Sequence, residues 1–392
     1  MILGFSFRMA VSAGVLCAAG LLAVVPAAAD VSGRAEPSAP AGPRASASHP
    51  SLLHRPGTHV RPRAGALRLP EVSALSWLVA DARSGEVLAA HNAHRRLPPA
   101  STLKTLFALT VLPALPANIR HTVREEELRG VGAGSSLVGV AEGRTYRIAD
   151  LWRGVFLNSG NDAVHVLAEL NGGWRATARR MQAEARSLGA HDTRVLSPDG
   201  YDTPGQVSSA FDLAIFGRVG LRNPDFARYC ATVEARFPGG GGWSYAIRNT
   251  NRLLSGTRGV KPYRGLIGIK NGYTSKAGST LVAAARRDGR TLVVTVMNPQ
   301  QGGGAAVYEE ARSLLDWGFR SAARVEPVGS LETSRAPARP GATTLPAAAA
   351  AAVPDETGSA WTEAALIVGA VGLGAAVVVL VLRLPVRRSE GR

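Results

Sequence analysis

The hydrophobic pattern splits the chain into a periodic middle and two aperiodic flanks. Trp77-Leu78-Val79-Ala80-Asp81 and Glu86-Val87-Leu88-Ala89-Ala90 are short apolar runs on either side of Arg83-Ser84-Gly85, a hairpin pattern. Residues 103–111 are almost wholly apolar, which predicts a helix buried on all sides. Pro98 and Pro99 stop the preceding chain and permit a helix start, and Pro113 marks its end. Residues 148–156 and 162–170 predict two helices flanking the loop Asn158-Ser159-Gly160-Asn161. Residues 174–188 are amphipathic with Gly189 as the stop, and residues 209–219 predict a further helix capped by Ser208 or Ser209. Residues 266–270, 280–287 and 291–297 read as strands, the last two joined by Asp288-Gly289, and residues 305–319 as a closing helix. Strands at both ends with helices between them predict an α+β fold: one antiparallel sheet with the N-terminal hairpin beside the C-terminal strands.

The flanks change the count of domains. Residues 1–29 carry Arg8, an apolar stretch and the small-x-small pair Ala27 and Ala29, which predicts a signal peptide. Residues 30–70 are rich in Pro, Ala, Ser and Arg and predict a disordered leader, and residues 327–360 predict a Pro/Ala-rich stalk. The stretch 361–384 contains an uncharged run about one bilayer thick, followed by a basic tail at 385–392. Positive charge on that side predicts a cytoplasmic tail and an extracytoplasmic body, residues 71–326, tethered to the cell membrane by a single span. With Cys17 inside the signal, Cys230 stands alone and no intramolecular disulfide is expected. The net charge of +16 comes from scattered arginines without the basic and aromatic interleave of nucleic-acid binding.

Candidate chemistry starts at Ser101-Thr102-Leu103-Lys104. On a helix, positions i and i+3 share a face, so the hydroxyl and the amine can meet. A lysine entering an apolar helix must find a partner or lose its proton, and a neutral lysine beside a serine is a base beside a nucleophile. By itself a Ser-x-x-Lys is a weak signal in a chain with this much serine. Its weight comes from Ser159-Gly160-Asn161 in the loop between two helices and from Lys270-Asn271-Gly272 at a strand end.

Taken in order, Ser101-x-x-Lys104, Ser159-x-Asn161 and Lys270-x-Gly272 resemble the motif set of penicillin-binding proteins and class A β-lactamases. The chain is most similar to the serine D-alanyl-D-alanine carboxypeptidases, through these motifs and through Ser197-Pro198-Asp199-Gly200, Ser209-Ala210-Phe211-Asp212 and Gly272-Tyr273-Thr274. The resemblance implies a β-lactamase-like fold with a helical subdomain, and removal of the terminal D-Ala of peptidoglycan stem peptides through an acyl-enzyme that β-lactams also form. It implies Ser101 as nucleophile, Lys104 as its base and Ser159 as a proton relay bridging Lys104 to the leaving nitrogen. Asn161 would bind the peptide amide, Lys270 the terminal carboxylate while helping to keep Lys104 deprotonated, and the N–H groups of Ser101 and Tyr273 would form the oxyanion hole. Asn271 and Gly272 complete the substrate-binding set, and no metal or cofactor is required.

Two departures stand out. Asn271 occupies the usual threonine position, and Asn298-Pro299-Gln300-Gln301 offers no arginine for the substrate carboxylate. Arg248 and Arg252 are the nearest candidates to replace it. The competing readings are a penicillin-binding scaffold with lapsed turnover and a class A β-lactamase. The second lacks a glutamate near Val195 to activate the deacylating water.

Overall fold

The computed structural model describes residues 51–332. The expected signal peptide (1–29), transmembrane helix (361–384) and basic tail (385–392) lie outside the described residues, as do parts of the leader and stalk. Among the described residues no helix is long and apolar enough to cross a membrane.

β1 (Thr58–Pro62) precedes the hairpin β2 (Ala74–Asp81) and β3 (Glu86–His91). A 3₁₀ turn, Ala100–Leu103, runs into α1 (Lys104–Val111). The small pair β4 (Arg120–Thr122) and β5 (Thr145–Arg147) encloses the single turn α2 (Glu125–Leu128). Then come α3 (Ile148–Leu157), α4 (Asn161–Leu170), α5 (Trp174–Ser187), α6 (Ala210–Gly220) and α7 (Pro224–Ala231). The Ser209 hydroxyl accepts the Asp212 N–H at 3.1 Å to start α6, and Asn223 with Pro224 starts α7 in the same manner. A second hairpin, β6 (Glu234–Pro238) and β7 (Ser244–Arg248), and the short α8 (Arg252–Ser255) lead to the long strands β8 (Leu266–Thr274), β9 (Gly278–Arg287) and β10 (Arg290–Pro299). α9 (Ala306–Ser321), β11 (Val325–Glu326) and β12 (Gly329–Ser330) follow.

The main sheet is antiparallel in the order β11-β1-β3-β2-β10-β9-β8, with β12 also on β3. The N-terminal hairpin does join the C-terminal strands, through β2 against β10. Alternation along the strands divides their side chains between two cores. Leu78, Val282 and Val293 meet α1 and α6 on one face, while Val79, Leu281 and Val294 meet α9 on the other. A sheet buried on both faces leaves only its edges for function, and β8 is the outer strand facing the turn at Ala100–Leu103.

Composition misplaces the limits of the body. Within the expected leader, Thr58, His59 and Val60 pair with His91, Ala90 and Ala89, and Arg61 pairs with Glu326. The Trp317 indole donates to the Leu67 carbonyl at 3.0 Å. Within the expected stalk, Gly329 pairs with Val87, and Val328 and Leu331 are buried. The ordered body therefore starts before residue 71 and continues past 326. Backbone pairing recruits these segments, and backbone groups are the same in every residue type, so composition does not report it. Cys230 is a free, buried thiol whose pKa burial pushes up to about 12.

Candidate active site

Ser101 stands in the 3₁₀ turn rather than in the α-helix proper. This matters for geometry. With three residues per turn, positions i and i+3 eclipse, so Lys104 comes directly over Ser101. The turn is held from outside by the Pro99 carbonyl, which accepts the Thr102 hydroxyl at 2.5 Å and the Thr280 hydroxyl of β9 at 3.0 Å. Ala100 (φ 49°) and Ser159 (φ 59°) both take left-handed backbone, strain that the surrounding contacts hold in place.

Lys104 is 1% exposed, and its Nζ donates to Ser101 Oγ at 2.8 Å, Asn161 Oδ1 at 2.7 Å and the Asp199 carbonyl at 2.6 Å. Three acceptors match the three protons of an ammonium group. Burial drives its pKa down to about 8, opposed by the carboxylates of Asp199 and Asp162. Roughly one molecule in ten then has a neutral Lys104 at pH 7. A neutral amine keeps a lone pair for the serine proton.

Asn161 opens α4, and Asp162 beside it fixes the neighbouring loop. The Asp162 carboxylate accepts the N–H groups of Val138, Gly139 and Val140 at distances down to 2.7 Å. Ser159 is buried, but its hydroxyl has no hydrogen-bond partner among the described residues. The expected bridge from Ser159 to Lys104 is therefore not formed, and Asn161 takes that contact.

The third motif lies on β8. Gly272 passes so close to Ser101 that a Cβ there would sit 2.7 Å from the Ser101 nitrogen and 2.7 Å from Thr280 Oγ1. Only glycine lets the strand edge and the Ser101 N–H share that space. Lys270 is also 1% exposed and donates to the Asn271 carbonyl at 2.8 Å. Burial and then the charge of Lys104 push its pKa well below the ordinary lysine value. The Asn271 amide oxygen accepts the Thr250 hydroxyl at 3.1 Å, while Tyr273 projects outward, 72% exposed. Arg248 donates to the Ser255 carbonyl at 2.8 Å, and the Arg252 guanidinium stacks 5.3 Å from the Tyr308 ring centre. Neither arginine bonds to the β8 motif.

The geometry thus gathers a serine, two buried lysines, an amide and an open strand edge. A family model described as D-alanyl-D-alanine carboxypeptidase (Peptidase_S11) matches residues 63–301. The chain belongs to that family. The carboxypeptidase is 39% identical over 259 residues to D-alanyl-D-alanine carboxypeptidase DacB2 of Mycobacterium tuberculosis, covering 65% of this chain and 86% of the relative. The crystal structure of a D-alanyl-D-alanine carboxypeptidase from the same organism superposes with a TM-score of 0.63 at 39% identity, covering 69% of this chain and 100% of that one. Penicillin binding protein 6B of Escherichia coli superposes with a TM-score of 0.59 at 32% identity, covering 67% and 82% of the two chains. The carboxypeptidase therefore has the penicillin-binding and β-lactamase-like fold, and it is a serine-type peptidase.

Two contributors escaped the sequence reading. The Asp199 carbonyl, a third acceptor for Lys104, is a backbone group, and only the Ser197-Pro198-Asp199-Gly200 stretch pointed to its neighbourhood. Asp162 acts through the loop it anchors rather than through substrate.

Proposed function

We propose that this carboxypeptidase works outside the cytoplasm, tethered through residues 361–384, and removes the terminal D-Ala of peptidoglycan stem peptides with Ser101 as nucleophile. The observation that carries the reading is the 2.8 Å contact between Lys104 Nζ and Ser101 Oγ in a site that removes water from the lysine. Neutral Lys104 takes the Ser101 proton as the oxygen attacks the carbonyl carbon of the penultimate D-Ala. The resulting oxyanion is met by the N–H groups of Ser101 and of Tyr273, the residue after Gly272, whose strand edge passes close to the Ser101 nitrogen. As the C–N bond breaks, the proton returns from Lys104 to the leaving amine of D-Ala; a relay through Ser159 requires its hydroxyl, which does not contact Lys104 in this structure, to rotate onto the amine. Water then adds to the acyl ester, gives its proton to the same base, and releases the shortened peptide. β-Lactams enter the same first step and leave an acyl-enzyme on Ser101.

Lys270 supports both ends of the cycle. An arriving substrate carboxylate gives it a counter-ion and favours its charged form, and a charged Lys270 in turn disfavours charge on Lys104. Substrate binding and activation of the base are thereby coupled. The test is release of free D-Ala from diacetyl-Lys-D-Ala-D-Ala by the wild-type protein and its loss in Ser101→Ala. Release that survives the substitution would contradict the assignment of the nucleophile.

A further inference from the structure

The β8 motif has an amide at Asn271 where a hydroxyl was expected, and Asn298-Pro299-Gln300-Gln301 carries no arginine. A hydroxyl nevertheless stands at that place, brought from another segment. Thr250, between β7 and α8, donates its hydroxyl proton to Asn271 Oδ1 at 3.1 Å. The backbone of Thr250 is held from two sides. Its N–H donates to the Leu157 carbonyl at 2.9 Å, at the end of α3 and just before the Ser159 loop. Its carbonyl accepts the Tyr308 hydroxyl of α9 at 3.3 Å. The neighbours on either side are buried and tied down. Asn249 donates to the Thr232 carbonyl at 3.0 Å and accepts the Asn251 N–H at 2.9 Å, while Asn251 accepts the Leu253 N–H at 3.2 Å to start α8. Between these two buried asparagines Thr250 is exposed. It joins the second motif, through Leu157, to the third, through Asn271.

The direction of the Thr250 bond decides what Asn271 offers a ligand. A side-chain amide has an acceptor on one side and two donors on the other, whereas a carboxylate only accepts. A half-buried asparagine without a partner exposes either side, and its oxygen repels a carboxylate. With Oδ1 held by Thr250, the NH₂ group is the side left for the ligand. The Thr250 hydroxyl has given its one proton to Asn271, so it acts through the amide rather than on the substrate.

We infer that Thr250 is a positioning residue that turns the N–H groups of Asn271 toward the terminal carboxylate of the substrate, so that an oriented amide serves this chain where an arginine is lacking. The inference rests on the carboxypeptidase reading of Ser101 and adds the residue that decides how firmly a free C-terminus is held.

The experiment uses Thr250→Val, which keeps the branched shape and both backbone bonds and removes the hydroxyl. Acylation of Ser101 is measured for benzylpenicillin, which carries a carboxylate, and for its methyl ester, which does not, each in competition with a fluorescent penicillin. KM and kcat for D-Ala release from diacetyl-Lys-D-Ala-D-Ala are measured in parallel. Thr250→Val is expected to lower the acid-to-ester ratio of acylation rates roughly three- to tenfold, the scale of one hydrogen bond. The KM for D-Ala release is expected to rise by a similar factor with little change in kcat. Thr250→Ser, which keeps the hydroxyl, is expected to restore the wild-type ratio. In an Asn271→Thr background no amide remains to be turned, and Thr250→Val is expected to move the ratio by less than about twofold. Ratios are read, so a general change in rate cancels. In a protein that labels and releases D-Ala, a ratio that Thr250→Val leaves unchanged, or lowers equally in both backgrounds, would overturn the role of Thr250 alone. A Thr250→Ser protein that behaves like Thr250→Val would do the same. A wild-type protein that neither labels nor releases D-Ala would overturn the carboxypeptidase reading and the role of Thr250 with it.

Discussion

Lys104 Nζ lies 2.8 Å from Ser101 Oγ while remaining 1% exposed, so the fold keeps an ionisable amine in a place water does not reach. That placement works against stability. A folded-state pKa of about 8 against 10.5 in the unfolded chain means that the unfolded chain holds the proton more tightly. The penalty is fully present below pH 8 and fades as pH rises from 8 to 10.5. Relative to Lys104→Met, the wild-type protein is expected to gain up to roughly 3 kcal/mol across that window. Denaturant melts of both proteins at several pH values read the difference.

Asp162 links the second motif to the loop at Val138–Val140 through a single carboxylate accepting three backbone N–H groups. Asp162→Asn is expected to lower stability by roughly 3 kcal/mol, because an amide cannot accept from all of them. It also removes a negative charge that holds the Lys104 pKa up. The pH at which acylation reaches half its maximum is therefore expected to move to lower pH, a shift that a purely structural role would not produce.

Gly272 leaves no room for a Cβ between β8 and the Ser101 nitrogen. Gly272→Ala is expected to push the strand edge away from the nucleophile turn and to slow penicillin acylation by about a hundredfold or more. The accompanying loss of stability is expected to be about 1–3 kcal/mol, as for overpacking elsewhere. Stopped-flow labelling at a temperature where circular dichroism shows the variant folded separates the two effects.

The contact between Ser101 and Lys104 was legible because the information is local: a serine and a lysine three apart, entering an apolar run, meet whatever the rest of the chain does. The hairpin at Ala74–His91 and its place beside β10 were legible because two apolar runs flank a turn sequence and, among the described residues, the longer strands lie on either side of the helical middle. What stayed hidden depends on backbone groups or on side-chain orientation. β1 has little apolar content and joins the sheet through main-chain pairing with β3 and β11. The Asp199 carbonyl carries no residue-type signal, and the choice of Asn161 over Ser159 as the Lys104 partner is a matter of side-chain direction. The hairpin β6–β7 and the helix α7 went unread, since each is short and its pattern is interrupted by glycine or charge.

The neutral-lysine mechanism is tested most directly by the rate of covalent labelling with a fluorescent penicillin, measured from roughly pH 6 to 10 for the wild-type protein and Lys104→Arg. The wild-type rate is expected to climb as pH rises through about 8 and then level off, since only deprotonated Lys104 accepts the Ser101 proton. Lys104→Arg is expected to show no detectable labelling anywhere in that range, because a guanidinium keeps its proton. A Lys104→Arg protein that retains most of the wild-type rate, or a wild-type rate that does not change through pH 8, would contradict Lys104 as the base.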